Sequence, residues 1–194
     1  MRLSSVIFAF AFVCGLTGCG HRNTAVAETE TVDSVPLRNI RIVFVGDVMM
    51  HLPQVSKAYT GNGYDFTQTF KYVKPIFEEA DLVVANLETT LAETPPYTGY
   101  PQFRSPAAVA DALKEAGVNV AVTANNHTLD YGATGVRRTV EILDKHGIAH
   151  TGTFADSTDY ATNNPQFIER RGVRVAILNY TSARMAYPRG TESL

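Results

Sequence analysis

The sequence predicts a layered α/β domain built on a largely parallel core sheet. Three observations lead there. Short apolar runs rich in Val, Ile and Ala recur after Asn39, helical patterns separate them, and no cysteine lies beyond position 19. The folded part must therefore rest on a packed core rather than a disulfide framework. Its length of 194 residues suits one domain plus an export segment. With 45% hydrophobic and 19% charged residues, a core is affordable and wholesale disorder is not expected.

The elements follow in order. Asn39–Val45 (NIRIVFV) has the β-branched content of a strand. Thr67–Glu79 sets Phe70, Val73, Ile76 and Phe77 at helical spacing, and Pro75 inside that pattern predicts a kink or break. Leu82–Asn86 (LVVAN) reads as a short buried strand. Ser105-Pro106 reads as an N-cap followed by Pro at the first helical position, with a helix over Ala107–Ala116 that stops at Gly117. Val118–Thr123 is a further strand. Gly135–His146 is a helix with Val136, Val140 and Leu143 on one face, stopped by Gly147. His150–Thr153 is a short strand, and Phe167–Glu169 and Val173–Tyr180 are two strands joined through Arg170-Arg171-Gly172. Thr89–Gln102 is a Pro/Gly-rich loop, long enough for a rim or lid.

The N-terminus reads as an address. Arg2 precedes an apolar run, Val6–Leu16, of 11 residues. A helical membrane span needs roughly 20, so the run matches the apolar region of a secretory signal instead. Leu16-Thr17-Gly18-Cys19 then resembles a bacterial lipobox, which implies cleavage before Cys19 and lipidation of Cys19. Residues 1–18 are expected to be the lipoprotein signal and 19–38 a flexible tether, with His21 a solvated tether residue. The expected location is the cell membrane, facing the periplasm or the surface, held through the lipid anchor.

The formal net charge is −2, so no basic excess points to nucleic acid. Both cysteines, Cys14 and Cys19, fall in the export segment, which excludes a thiolate metal site in the domain. Any metal there must sit on oxygen or imidazole ligands, which suits Mg, Mn, Zn or iron.

The chemistry-bearing residues collect where strands end. Asn39–Val45 runs into Gly46-Asp47-Val48-Met49-Met50-His51; Leu82–Ala85 runs into Asn86-Leu87-Glu88; Val118–Thr123 runs into Ala124-Asn125-Asn126-His127 and then Leu129-Asp130-Tyr131-Gly132. Open α/β sheets bind ligands at the carboxyl ends of their strands. Three such ends bring Asp47, Glu88, Asn126 and His127 to one rim, a hard-to-borderline ligand set for one or two divalent ions. His127 can alternatively protonate a leaving group. His51, Asn86, Asn125 and Asp130 are secondary candidates. Asp130 is expected to cap the helix behind it, with Gly132 permitting the turn, and His146 and His150 are read as structural.

These segments resemble the signatures of the CapA family, the poly-gamma-glutamate capsule biosynthesis proteins. The resemblance rests on Gly46-Asp47-Val48-Met49, Asn86-Leu87-Glu88 and Ala124-Asn125-Asn126-His127-Thr128-Leu129-Asp130-Tyr131-Gly132, and runs from about Ile40 to Tyr180. It implies a calcineurin-like metallophosphatase fold, a four-layered sandwich with two metals at strand ends. By that similarity Asp47 takes the first-motif aspartate place, Glu88 the second-motif acid, and Asn126-His127 the asparagine–histidine pair. The sequence departs from the metallophosphatase pattern at two points: no His stands two residues after Asp47, and Glu88 replaces an aspartate. The later histidine motifs would lie beyond Tyr180, so residues 39–194 are expected to be an N-terminal portion carrying part of the metal shell.

Two functions are in contention. One is a metal-dependent hydrolase of a phosphoester or related bond in envelope or capsule precursors. The other is a non-catalytic component of anionic-polymer export or anchoring, partnered by polymer synthesis or export proteins. A passive glycan-binding module has little support, since Tyr97 and Tyr100 are the only platform in view.

Overall fold

A computed structural model describes residues 39–182. The signal, the tether, the lipidation residue Cys19 and the last residues of the chain lie outside the described residues. In chain order the elements are β1 (Ile42–Val48), α1 (Leu52–Ala58), α2 (Thr67–Phe70), α3 (Lys74–Glu78), β2 (Leu82–Leu87), β3 (Thr90–Ala92) and β4 (Arg104–Pro106). There follow α4 (Ala108–Ala116), β5 (Val120–Val122), α5 (Gly132–Lys145), β6 (Ala149–Thr151), α6 (Ser157–Asn163), β7 (Gln166–Arg170) and β8 (Val173–Ile177).

The main sheet has the order β1-β2-β5-β6, and every pairing in it is parallel. The α/β expectation holds at this level. Strand side chains alternate between faces, and both faces are covered, which is why Leu82–Ala85 of β2 reads as an unbroken apolar run. Val83, Ala85 and Leu87 point into a core shared with Phe77, Val109, Leu113, Ile142 and Leu143 of the helices. Leu82, Val84 and Val120 point the other way, against Ile168, Val175 and Ile177 of the antiparallel β7–β8 hairpin. Because all four strands run in one direction, their carboxyl ends share one edge of the sheet.

Several boundaries differ from expectation for identifiable reasons. The Thr67–Glu79 pattern is broken into α2 and α3, and Pro75 sits in the first turn of α3, where its missing N–H costs nothing. Ser105 and Pro106 do not start a helix. They belong to β4, which pairs in parallel with β3, and the Ser105 hydroxyl bonds that of Thr89 at 2.8 Å. A tertiary partner thus outbids the local capping role, and α4 begins two residues after Pro106. It closes as expected at Gly117, whose φ of 103° is open to glycine. The stretch Thr89–Gln102 is only partly a loop, since it opens with β3. Among the described residues, no helix is long and apolar enough to cross a membrane.

Candidate functional site

The carboxyl ends of β1, β2 and β5 bring four of the predicted groups into one hydrogen-bonded network. The Asn86 amide is its centre. Asn86 Nδ2 donates to Asp47 Oδ1 at 2.7 Å and to Glu88 Oε2 at 2.9 Å, so two carboxylates converge on one nitrogen. Asn86 Oδ1 accepts from Asn125 Nδ2 at 3.2 Å, and Asn125 Nδ2 also donates to the Leu87 carbonyl at 2.9 Å. This approach of β1 to β2 depends on Gly46: a Cβ there would stand 3.0 Å from the Asn86 Cβ. The strand ladder is irregular at the same place, between Val45 and Val48, which turns Asp47 toward the rim.

The third segment is anchored from both sides. Asn125 Oδ1 accepts from the His127 backbone N–H at 3.0 Å, and Thr128 Oγ1 accepts from Asn125 N–H while donating to the Thr123 carbonyl. From the other side, Asn179, which follows β8, accepts from Ala124 N–H at 2.6 Å. The fit is close: a Cβ on Gly152 would collide with both Asn179 and Ala124.

His127 is 5% exposed. Its Nδ1 lies 2.8 Å from Asp130 Oδ2, and the same oxygen accepts from Phe103 N–H at 2.6 Å. With Nδ1–H given to a carboxylate, the ring's Nε2 is left as the acceptor nitrogen. Asp130 is therefore not a helix cap. The residue at the start of α5 is Tyr131, without a side-chain cap, and Asp130 is turned inward with its second oxygen, Oδ1, buried and unbonded among the described residues. A buried imidazole and a buried backbone N–H compete for the carboxylate more strongly than exposed helix N–H groups, which water can satisfy. Gly132 has φ 59°, as the turn requires.

The remaining candidates separate. His51 stays exposed at the start of α1, its ring edge-on to Phe103 at 4.9 Å, and Phe103 is edge-on to His127 at 4.7 Å. His51 is thus one ring removed from His127 and apart from the carboxylates. The Asn126 side chain is half-buried and joins no hydrogen bond among the described residues, so the amide in the network is Asn125. His146 bonds the Ile142 carbonyl and Asp111, and His150 is buried in β6 away from the rim. Tyr97 and Tyr100 do not form a platform: Tyr97 turns inward, edge-on to Tyr64, and only Tyr100 is fully open. Phe103 and Asn179 carry no sequence signal for this site. Both act through a backbone group or a ring edge of a segment distant in the chain.

Electrostatically the two rim carboxylates oppose each other's ionisation. Burial, then the charge of Asp47, push the Glu88 carboxyl above the ordinary glutamate range, against the Asn86 hydrogen bond and the nearby His127. Among the described residues, no three His, Cys, Asp or Glu side chains are gathered as a metal-holding group. Asp47 and Glu88 are thus two carboxylates facing one amide nitrogen, and the oxygens of Asn86 and Asn125 are already engaged as acceptors.

A parallel α/β sheet with carboxylates, amides and an acid-oriented histidine at its carboxyl edge defines the class of this protein. The bacterial capsule synthesis protein PGA_cap family model matches residues 41–193. The chain belongs to that family, as the resemblance to CapA proteins anticipated. It is 31% identical over 173 residues, 84% of its length, to the capsule biosynthesis protein CapA of Bacillus anthracis. It is 29% identical over 158 residues, 80% of its length, to the PGA biosynthesis protein CapA of Bacillus subtilis (strain 168). An uncharacterized protein of Sinorhizobium fredii is 32% identical over 163 residues, 80% of this chain and 32% of its own length. The chain spans about 40% of the length of each Bacillus relative.

Proposed function

We propose that this chain carries part of a metallophosphatase-like site that hydrolyses a phosphoester or related bond in anionic capsule or envelope precursors. The observation that supports this most is the pair Asp47 and Glu88 on one amide, beside a His127 whose Nδ1 is committed to Asp130. Asp47 and Glu88 would hold one or two divalent ions (Mn, Mg, Zn or iron), and the Asn126 amide, which joins no hydrogen bond among the described residues, could add an oxygen. When bound, such an ion would supply Lewis-acid polarisation of a phosphoryl or carbonyl oxygen and acidify its water. His127 would take up a proton from the attacking water at Nε2, its acceptor nitrogen, and return it to the leaving oxygen, and Asp130 fixes the ring for that transfer. Asn86 keeps the two carboxylates together, and Phe103 shields the ring from solvent. The reading extends to a calcineurin-like sandwich as the full domain and to a membrane tether through Cys19.

The test is a phosphoesterase screen on metal-loaded full-length protein. Asp47→Ala and His127→Ala are expected to lower turnover at least a hundredfold each. Unchanged turnover in both variants would sink the hydrolase reading. The partial ligand set favours one alternative, a non-catalytic role in polymer export or anchoring. A polymer phenotype that survives alanine at Glu88 and His127 would support that alternative.

A further inference from the structure

His150 in β6 is a buried titratable group that the rim does not use. It is 1% exposed, and both of its ring nitrogens are buried without a hydrogen-bond partner among the described residues. A buried ring N–H left unbonded is expensive. Two carboxylates flank Nε2: Asp159 Oδ1 of α6 at 3.4 Å and Asp144 Oδ1 at the end of α5 at 3.5 Å. Both separations are ion-pair distances, longer than the roughly 2.7–2.9 Å of a closed charge-assisted hydrogen bond. Asp159 is the inner of the two. Its Oδ2 accepts from Ala155 N–H at 2.7 Å and its Oδ1 from Asn163 Nδ2 at 2.6 Å, whereas Asp144 is exposed. Among the described residues no other carboxylate is within ion-pair distance of the ring. β5 sets Ala121 beside it, and the Phe154 ring lies 6.5 Å away. Near the end of α5, Lys145 is paired with Glu93 and His146 with Asp111. In β7, Glu169 is exposed and Arg170 is turned to the Asp81 carbonyl.

The element these contacts hold is α6. No residue of that helix is buried, so little apolar area fastens it and its attachment depends on polar contacts. Thr151, the neighbour of His150, makes one of them by donating from Oγ1 to the Asn163 carbonyl at 2.8 Å. The Thr151 carbonyl in turn accepts from the N–H and the hydroxyl of Thr123, so β6 also backs the segment that leads to Asn125 and His127. A neutral imidazole has one N–H to give and no charge to draw the acids in. An imidazolium has two, and at a site shielded from water its attraction to two carboxylates is strong. Imidazole is also the side chain that changes charge between about pH 5 and pH 8. We propose that His150 is a proton-operated latch: when its ring takes a proton from solvent, Nε2–H closes onto Asp159 and Asp144 and fastens α6 to β6, and when the ring is neutral the helix is held loosely. The latch tightens this end of the sheet as pH falls and releases it as pH rises. It stands independently of the reading of the rim.

The experiment uses the full-length protein in EDTA, which keeps metal ions out of the measurement. NMR follows the His150 ring nitrogens and the amide hydrogen exchange of α6, read at Tyr160 and Asn164 and corrected for the intrinsic pH dependence of exchange. Between about pH 7.5 and pH 5.5 the ring is expected to become charged, and protection of the two amides to rise at least about tenfold, while amides of β2 change little. His150→Gln, which is polar and cannot take the charge, and Asp159→Asn, which removes the inner acid, should each abolish the rise. A ring that stays neutral down to about pH 5 overturns the latch, as does a smaller rise in α6 protection or one shared equally by β2. A full rise that persists in a folded His150→Gln or Asp159→Asn variant also overturns it. The wild-type measurement decides alone if neither variant folds.

Discussion

Replacing Asp130 by alanine removes one oxygen that serves two buried donors. In the wild type Oδ2 accepts from Phe103 N–H at 2.6 Å and from the His127 ring at 2.8 Å. Each donor left without a partner costs about 1–3 kcal/mol. Removing Oδ1, which is buried and unbonded among the described residues, gives back part of that cost. The two losses share one acceptor and are not strictly additive, so the net expectation is about 2–4 kcal/mol. For a domain of this size that corresponds to a drop of roughly 5–15 °C in Tm. Urea unfolding at constant slope is the assay, paired with observation of the downfield His127 Nδ1 proton by NMR. Asp130→Asn, which can still accept from one donor, should lose less stability than the alanine variant and also lose the downfield proton. A change under about 0.5 kcal/mol in Asp130→Ala, with the Nδ1 proton retained, would refute the claim that this carboxylate orients the histidine.

Two further outcomes follow from the same network. Glu88 has its folded pKa raised, chiefly by burial and then by Asp47, so its contribution to stability is fully present below the unfolded glutamate pKa and is lost as pH rises through the folded value. Glu88→Gln should accordingly be more stable than wild type at neutral pH in EDTA, with a flatter stability–pH profile, and a saturating divalent cation should reverse that order; thermal melts across the acid-to-neutral range check both. Asn179→Ala strips the acceptor from Ala124 N–H, which should cost about 1–3 kcal/mol and speed amide exchange at Asn125 and His127 more than elsewhere in the sheet.

The sheet was legible because its strands are short β-branched runs with both faces buried, a pattern that composition and order alone reveal. The gathering of Asp47, Glu88 and His127 at one edge was legible for the same reason, whereas the amide expected with them, Asn126, stays outside the network and Asn86 and Asn125 fill it. Parallel strands that end in polar clusters put those clusters on one edge whatever the helices do. Elements held by tertiary partners were not legible. β3 and β4 are three residues each and exist through pairing with each other and through Thr89–Ser105. α1 buries only Val55 and Ala58, too few for a periodic signal. Asp130 has the position of a cap by sequence, and the His127 ring and Phe103, the latter 27 residues away, give it another use. Asn179 reaches Ala124 across 55 residues, a contact that no local pattern encodes.

If the carboxylates at the strand ends form a divalent-cation site, the metal-stripped full-length protein binds manganese through them. Binding followed by electron paramagnetic resonance should be saturable and weaken at least tenfold in Asp47→Asn and in Glu88→Gln while both variants keep the wild-type fold by circular dichroism. Absence of saturable binding, or binding that neither substitution weakens, would contradict it.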